Sequence, residues 1–226
     1  VYQVWGNAVF GAFGIALSAW LASSVLLDWA LRIRLFRASP LDSMRRAMRI
    51  PRAAYGMNFA HFGVALLVAG VTASSAWRTE SLQVMREGES ISVAGFEFLF
   101  HGVDRAEGPN YAVDRGHFTV TRGAKFTVEL WPENRFYPVQ QQPTTEAAIH
   151  TMWNADLYAV VGDPDGNGGW ATRIYYNPLV PWIWLGALVM ALGGAVSLSD
   201  RRHRVGAPKR SQSTPMPRHA AADIVR

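Results

Sequence analysis

The stretch Tyr55–Trp77 most constrains the fold, because it holds no Asp, Glu, Lys or Arg and is bounded by Arg52 and Arg78. A helix needs roughly 20 apolar residues to cross a bilayer, so the stretch predicts a transmembrane helix. His61 is its only histidine. At about 1.5 Å of rise per residue, His61 lies roughly 9 Å along the helix from its start, where an ionisable group is costly. His61 is therefore the first candidate functional residue.

A stripe of mostly small residues on the same predicted helix indicates close contact with another helix. Its members recur at i, i+4, i+7, i+11 and i+14: Gly56, Ala60, Gly63, Leu67 and Gly70. His61 is one position round from the stripe, so we expect its side chain near the same contact. Neutral imidazole is a common metal ligand and an axial ligand of haem. The alternative is a histidine that only hydrogen-bonds a neighbouring helix, and the spacing leaves both interpretations open.

Two further apolar stretches, Val9–Leu31 and Leu179–Leu198, predict two more transmembrane helices. Half of the 226 residues are hydrophobic, yet the mean hydropathy is close to zero. Membrane helices together with one sizeable soluble domain account for both values. The absence of cysteine excludes disulfides, thiolate metal sites and the C-x-x-C-H haem attachment motif. The abrupt opening beside an apolar helix predicts the C-terminal part of a longer polytopic protein.

The charge distribution predicts the membrane topology. Residues 78–177 hold 8 Lys and Arg against 13 Asp and Glu, whereas the rest of the chain holds 14 basic and 4 acidic residues. The positive charge thus lies beside the helices, which is the positive-inside pattern and not a nucleic-acid signal. The predicted order is a helix with its N-terminus outside, a cytoplasmic loop, the central helix, a periplasmic domain, a third helix and a basic disordered cytoplasmic tail. The corresponding ranges are 1–31, 32–54, 55–77, 78–177, 178–199 and 200–226.

Two local features accompany the basic loop. Residues 41–49 predict a short interfacial helix with Leu41, Met44 and Met48 facing lipid, and anionic headgroups as the expected contact of its arginines. Asp28 and Arg32 are four residues apart near the end of the first helix and predict a local ion pair.

The domain between Arg78 and Asn177 predicts an all-β fold, a small antiparallel barrel or sandwich, because short β-rich segments alternate with turn residues. HFTVTR and KFTVEL form a predicted hairpin through Gly123. The predicted strands are Ser81–Met85, Glu89–Val93, Gly95–Val103, Gly116–Arg122, Lys125–Trp131, Thr145–Thr151, Leu157–Val161 and Trp170–Tyr176.

Two patterns in this domain resemble metal sites without meeting their requirements. DPDGNGG at Asp163–Gly169 has acidic residues at calcium-loop spacing, but Ile174 stands where the bidentate Glu is needed. A hairpin turn is the favoured interpretation. His101, His117 and His150 lack metal-ligand spacing, so we expect ordinary surface or partly buried histidines.

The sequence resembles the C-terminal portion of CcmF, the haem lyase component of the cytochrome c maturation system. The matching stretches occur in family order from residue 49 to residue 204. They are RIPRAAYGMNFAHFGVALLVAG, GPNY, TEAAI, DLYAVVGD, GWATRIYYNPLVPWIWLGALVMALGG and LSDRRHR.

The resemblance implies that His61 is one of two transmembrane axial ligands of a haem b, in a multi-pass protein of the bacterial inner membrane. It implies part of a haem lyase (holocytochrome c synthase), with apocytochrome c and CcmH-, CcmI- and CcmE-type maturation proteins as partners. The family's second membrane histidine and its tryptophan-rich haem-handling segment are absent from this chain. A cofactor-free membrane scaffold whose β-domain binds a protein is the alternative function.

Overall fold

A computed structural model of the protein describes residues 2–124 and 126–200, in which four helices and ten strands follow one another. The elements are α1 (Tyr2–Ile33), α2 (Pro40–Arg49), α3 (Arg52–Ala76), β1 (Thr79–Met85), β2 (Ser90–Val93), β3 (Phe96–Glu107), β4 (Ala112–Arg122), β5 (Phe126–Leu130), β6 (Glu133–Tyr137), β7 (Gln142–Glu146), β8 (Ala148–Thr151), β9 (Ala155–Pro164), β10 (Trp170–Pro178) and α4 (Val180–Leu198). The predicted tail lies outside the described residues, except for Asp200.

Three of the helices are long and apolar enough to cross a membrane: Val9–Ile33, Arg52–Ala76 and Val180–Leu198. The three predicted membrane helices are therefore confirmed. α3 packs between the other two and has its most extensive contact with α4. The Asp28–Arg32 ion pair is also present, with Arg32 Nε 2.6 Å from Asp28 Oδ2.

The predicted interfacial helix corresponds to α2. Its N-terminus is capped by Ser39, whose side-chain oxygen accepts a hydrogen bond from the Asp42 backbone N–H at 3.2 Å. The side chains predicted to face lipid are exposed: Leu41, Met44 and Met48.

The ten strands form two antiparallel sheets that pack face to face, so the domain is a sandwich. One sheet has the order β1-β10-β9-β8, and the other has the order β2-β3-β4-β6-β7 with β5 also paired to β4. Both sheets contribute fully buried side chains to one core between them. The largest of these are Phe96, Phe98, Phe100, Phe118, Met85, Leu157 and Ile174. Alternate residues of β3 and β4 point into the core, as expected for a strand with one buried face.

The strand predictions were wrong in two places. The segment Thr145–Thr151 divides between β7 and β8, which belong to different sheets. β6 was not predicted at all, because its sequence ENRFY is mostly polar and lacks a clear alternation. β6 forms because β4 is long: Ala112–Arg115 pairs with β6, whereas Phe118–Arg122 pairs with β5.

The helices and the sandwich are joined through paired segments. α3 leads into β1, β10 leads into α4, and β1 pairs with β10 from Thr79 opposite Tyr176. Leu179 lies at this junction in a left-handed conformation, and its N–H donates to Asn154 O at 2.8 Å. Trp182 Nε1 donates to Trp153 O at 3.1 Å, which fastens the start of α4 to the sandwich.

Candidate functional site

The small-residue stripe of α3 forms the contact with α4, as the sequence predicts. A Cβ atom added to Gly63 would lie 2.7 Å from Gly186 O, and one added to Gly186 would lie 2.6 Å from Gly63 O. A Cβ atom on Gly193 would lie 2.5 Å from Ala60 N. The two backbones are therefore in direct contact over more than two turns, which only glycine permits at these positions.

A second face of α3 is covered by α1. Ser18 Oγ donates a hydrogen bond to Ala65 O at 2.7 Å, and Ser18 is buried there. Gly11 and Gly14 bring the α1 backbone against Ala76 and Thr72 near the sandwich end of α3. α1 and α4 thus pack against two sides of α3, and both contacts reach its backbone or lie close to it.

His61 lies on the face of α3 that neither α1 nor α4 covers. Its side chain is exposed, as are those of Met57 and Val71 on the same face. The expectation that His61 points towards the α3–α4 contact was wrong, because one residue turns the direction about 100° around a helix axis. The side chain is therefore not enclosed in the contact between α3 and α4.

The hydrogen bond of the ring defines which nitrogen can bind a metal. His61 Nδ1 lies 2.8 Å from Met57 O, and because a carbonyl oxygen can only accept, Nδ1 carries the proton. In the neutral ring, Nε2 then keeps its lone pair. α3 therefore presents an oriented imidazole with a free Nε2 on an uncovered, otherwise apolar face.

Comparison with known proteins connects this geometry to a family. A family model described as the CcmF C-terminal beta-sandwich matches residues 76–178. The cytochrome c-type biogenesis protein CycK of Rhizobium meliloti is 41% identical over 211 residues, which are 93% of this chain and 31% of CycK. CcmF of Pseudomonas aeruginosa is 38% identical over 201 residues, which are 88% of this chain and 31% of that protein. The chain corresponds to a C-terminal portion of CcmF-type proteins.

A solved structure of a CcmF protein has a similar fold over most of this chain. Cytochrome c Heme Lyase CcmF matches with a TM-score of 0.60 over 88% of this chain and 34% of that chain, at 21% sequence identity. The chain spans about a third of the length of the curated CcmF-type relatives described above.

The CcmF family implies haem handling, and the residues of α3 fit one axial position of a haem. Nε2 of a neutral imidazole is an axial ligand of haem iron, and the free Nε2 of His61 meets that requirement. Among residues 2–124 and 126–200, no group of three or more His, Asp or Glu side chains could hold a metal ion. His61 is the only histidine in α1, α3 and α4.

The sandwich of this CcmF-type chain brings together two histidines that the sequence separates. His101 and His117 stack with ring centroids 4.4 Å apart, and His117 stacks on Trp131 at 3.8 Å. His101 lies on β3, His117 on β4 and Trp131 directly after β5, and the three form a row on the face opposite the core. We call them the ring row. His150 lies apart from it, against Phe126.

Polar contacts fix the ring row. His117 Nε2 pairs with Glu129 Oε2, and this hydrogen bond lowers the pKa of the Glu129 carboxyl. Thr119 Oγ1 donates to Glu129 at 3.1 Å and is hydrogen-bonded to His101 Nε2 at 2.7 Å. Sequence spacing did not reveal this cluster because only the strand register aligns its members.

The acidic segment Asp163–Gly169 is a turn, as favoured from the sequence. Asp165 Oδ1 accepts hydrogen bonds from the backbone N–H groups of Asn167 at 2.7 Å and Gly169 at 2.8 Å. These two hydrogen bonds lower the pKa of Asp165. Its carboxylate therefore closes the turn between β9 and β10.

Proposed function

We propose that this chain is the C-terminal part of a cytochrome c haem lyase subunit, in which His61 supplies one axial ligand of a transmembrane haem b. The single observation that carries the proposal is the free Nε2 of His61 on the uncovered face of α3. His61 is exposed among the described helices, and its bond to Met57 O leaves Nε2 available to bind iron.

The residues around His61 orient the ligand. The bond from Nδ1 to Met57 O fixes both the tautomer and the ring direction, and such a bond also raises the basicity of the ligating nitrogen. When bound, a haem would supply one-electron redox chemistry. The exposed apolar side chain of Met57, about one turn before His61, lies beside the proposed iron site.

The second axial ligand comes, in this proposal, from a membrane helix that packs on the His61 face. The names of the relatives place them in cytochrome c-type biogenesis, so apocytochrome c is the proposed substrate. The proposed maturation partners are CcmH-, CcmI- and CcmE-type proteins. The positive-inside pattern supports a topology with the arginine-rich segment in the cytoplasm and the sandwich in the periplasm, and a bacterial inner membrane is the proposed location.

A cofactor-free scaffold is the second candidate, and the ring row favours it. Trp131 is 47% exposed although it is stacked on His117, so the sandwich presents an ordered aromatic surface outside the membrane. Ordered, partly exposed aromatic side chains are common at protein interfaces. In the haem lyase proposal, the same surface docks a partner.

The experiment is a visible absorption spectrum of the detergent-purified membrane complex that contains this chain. His61→Gly is expected to lose the low-spin haem b spectrum, and added imidazole is expected to restore it by taking the vacant axial position. Val71→Ala, a change on the same exposed face, is the matched control and should leave the spectrum unchanged. An unaltered spectrum in folded His61→Gly would remove His61 from the site, and the absence of haem in all variants would favour the scaffold.

A further inference from the structure

The arginine-rich end of the membrane helices contains a concavity of about 570 Å³ with a strong positive charge. Its lining holds four arginines and a single acidic side chain: Arg32, Arg45, Arg46, Arg49 and Asp42. α2 is held in place by the Ser39 cap and by a hydrogen bond from Tyr55 Oη to Ala47 O at 3.0 Å. Arg45, Arg46 and Arg49 are therefore presented by an anchored helix, whereas Arg32 belongs to α1 and pairs with Asp28. The remaining positive charge favours an anionic group in the concavity.

A second, apolar concavity of about 360 Å³ lies between α1 and α3. Its lining is mainly aromatic and aliphatic: Val25, Leu26, Trp29, Tyr55, Asn58, Phe59 and Phe62. The same two helices are in backbone contact at their sandwich end through Gly11 and Gly14. At the arginine-rich end, the side chains of these two helices leave a groove between them.

The two concavities follow each other along the same helix faces. On α1, Trp29 lines the groove, and Arg32, three residues on, lines the charged concavity. On the other wall, Tyr55 lines the groove, and Pro51, four residues earlier, lines the charged concavity. Three to four residues are about one helical turn, or roughly 5 Å. A charged site therefore adjoins an apolar groove, with the spacing of a lipid phosphate and its acyl chain.

The position of α2 indicates the depth of the two concavities in the bilayer. Leu41, Met44 and Met48 are 59%, 62% and 75% exposed, and an amphipathic helix with such a face lies in the membrane interface. Phospholipid headgroups occupy that level. Basic concavities between membrane helices at this depth bind anionic headgroups.

We propose that the charged concavity and the groove together form a site for one anionic phospholipid. The arginines bind its phosphate, and one acyl chain occupies the groove beside Trp29 and Phe59. Arg32 and Arg45 already pair with Asp28 and Asp42. A protein helix would fill the groove but would add no anionic group for Arg46 and Arg49, which favours the lipid. This site is on a different face of α3 from His61 and does not depend on haem.

The test measures lipid retained by the full chain in detergent. The protein is equilibrated with dioleoyl phosphatidylglycerol or dioleoyl phosphatidylcholine, and bound lipid is counted by native mass spectrometry. We expect retention of phosphatidylglycerol alone. In Arg45→Gln/Arg49→Gln, affinity should fall by roughly 30-fold, since each arginine near anionic lipid contributes about a fivefold factor. Arg34→Gln/Arg37→Gln removes the same charge outside both concavities and should keep the affinity within about threefold.

Two further measurements test the groove and the acyl chain separately from the arginines. Val25→Trp fills the groove and should lower phosphatidylglycerol retention without removing an arginine. Inorganic phosphate at the concentration of the lipid should not displace it, because phosphate lacks an acyl chain. Equal retention of both lipids, equal losses in the two double variants, or displacement by inorganic phosphate would each overturn the proposal. The single variant Arg46→Gln replaces the double variant if the latter does not fold.

Discussion

Gly193 and Gly194 are consecutive residues of α4 that meet entirely different surroundings. A Cβ atom on Gly193 would lie 2.5 Å from Ala60 N and 2.7 Å from Gly56 O, whereas one on Gly194 would have no atom within 4 Å. Both positions are helical, so alanine should gain about 1 kcal/mol of helix propensity at either one. Comparing the two alanine variants therefore separates the effect of close helix packing on stability from the effect of helix propensity.

The expected difference follows from these distances. To bring the new methyl group of Gly193→Ala from 2.5 Å to an ordinary contact of 3.4 Å, α3 and α4 have to separate by roughly 0.9 Å. Such overpacking costs about 1–3 kcal/mol. Gly194→Ala should be neutral or more stable by up to about 1 kcal/mol. A free-energy difference of about 1–3 kcal/mol corresponds to roughly 2–12 °C in Tm for a chain of this size.

Thermal unfolding in detergent, followed by circular dichroism, measures the difference. The contacting atoms on α3 are backbone atoms, so adding Ala60→Gly should not rescue Gly193→Ala. Equal Tm values for the two alanine variants, or a full rescue by Ala60→Gly, would refute the close contact between α3 and α4.

Two substitutions test partly buried carboxyl groups of the sandwich, and one should lower its stability whereas the other should raise it. Glu133 is bonded to Arg135 and Arg115, and although burial opposes ionisation, these bonds keep its pKa below the usual value. Glu133→Gln should therefore lower the free energy of unfolding by roughly 1–3 kcal/mol at pH 7. This difference should shrink as acid protonates the wild-type carboxyl, whereas a pH-independent loss in denaturant titrations would contradict the ion-pair explanation. Burial raises the pKa of Asp156, whose Oδ1 has no hydrogen-bond partner among the described residues, although Thr151 bonds to the carboxyl. Asp156→Asn should therefore raise the Tm at pH 7, and the gain should disappear below about pH 4, where wild-type Asp is neutral in both states; a lower Tm at pH 7 would contradict this.

The membrane part was largely predictable because its signals are local. Twenty apolar residues, a small-residue stripe and a run of arginines each lie within one continuous segment. The direction of His61 was not predictable in the same way, because it depends on where α1 and α4 pack around α3. The stripe indicates one neighbour, whereas the second is defined by the hydrogen bond from Ser18 to Ala65 O, about one turn on from His61.

The ring row could not be predicted from the sequence, because its members come from separate strands. His101 and His117 are sixteen residues apart, and Trp131 is fourteen residues further on. Their approach depends on the antiparallel register of three strands and on the irregularity in β3 between Phe100 and Val103. The alternation of β4 does indicate that His117 points away from the core, because Phe118 and Val120 point into it. Which residue lies beside His117 on the neighbouring strand, however, depends on how the strands pair in the sheet.

The junction between helices and sandwich keeps the side chains of the sandwich far from His61. Fifteen residues of continuous helix separate His61 from Ala76, the last residue of α3, which at about 1.5 Å per residue is roughly 22 Å. The pairing of β1 with β10 and the bond from Trp182 Nε1 to Trp153 O connect the helices firmly to the sandwich. Side chains of the sandwich therefore cannot reach an iron held by His61. In the proposed function, the haem and the ring row serve separate steps: electron transfer within the membrane and docking of a partner outside it.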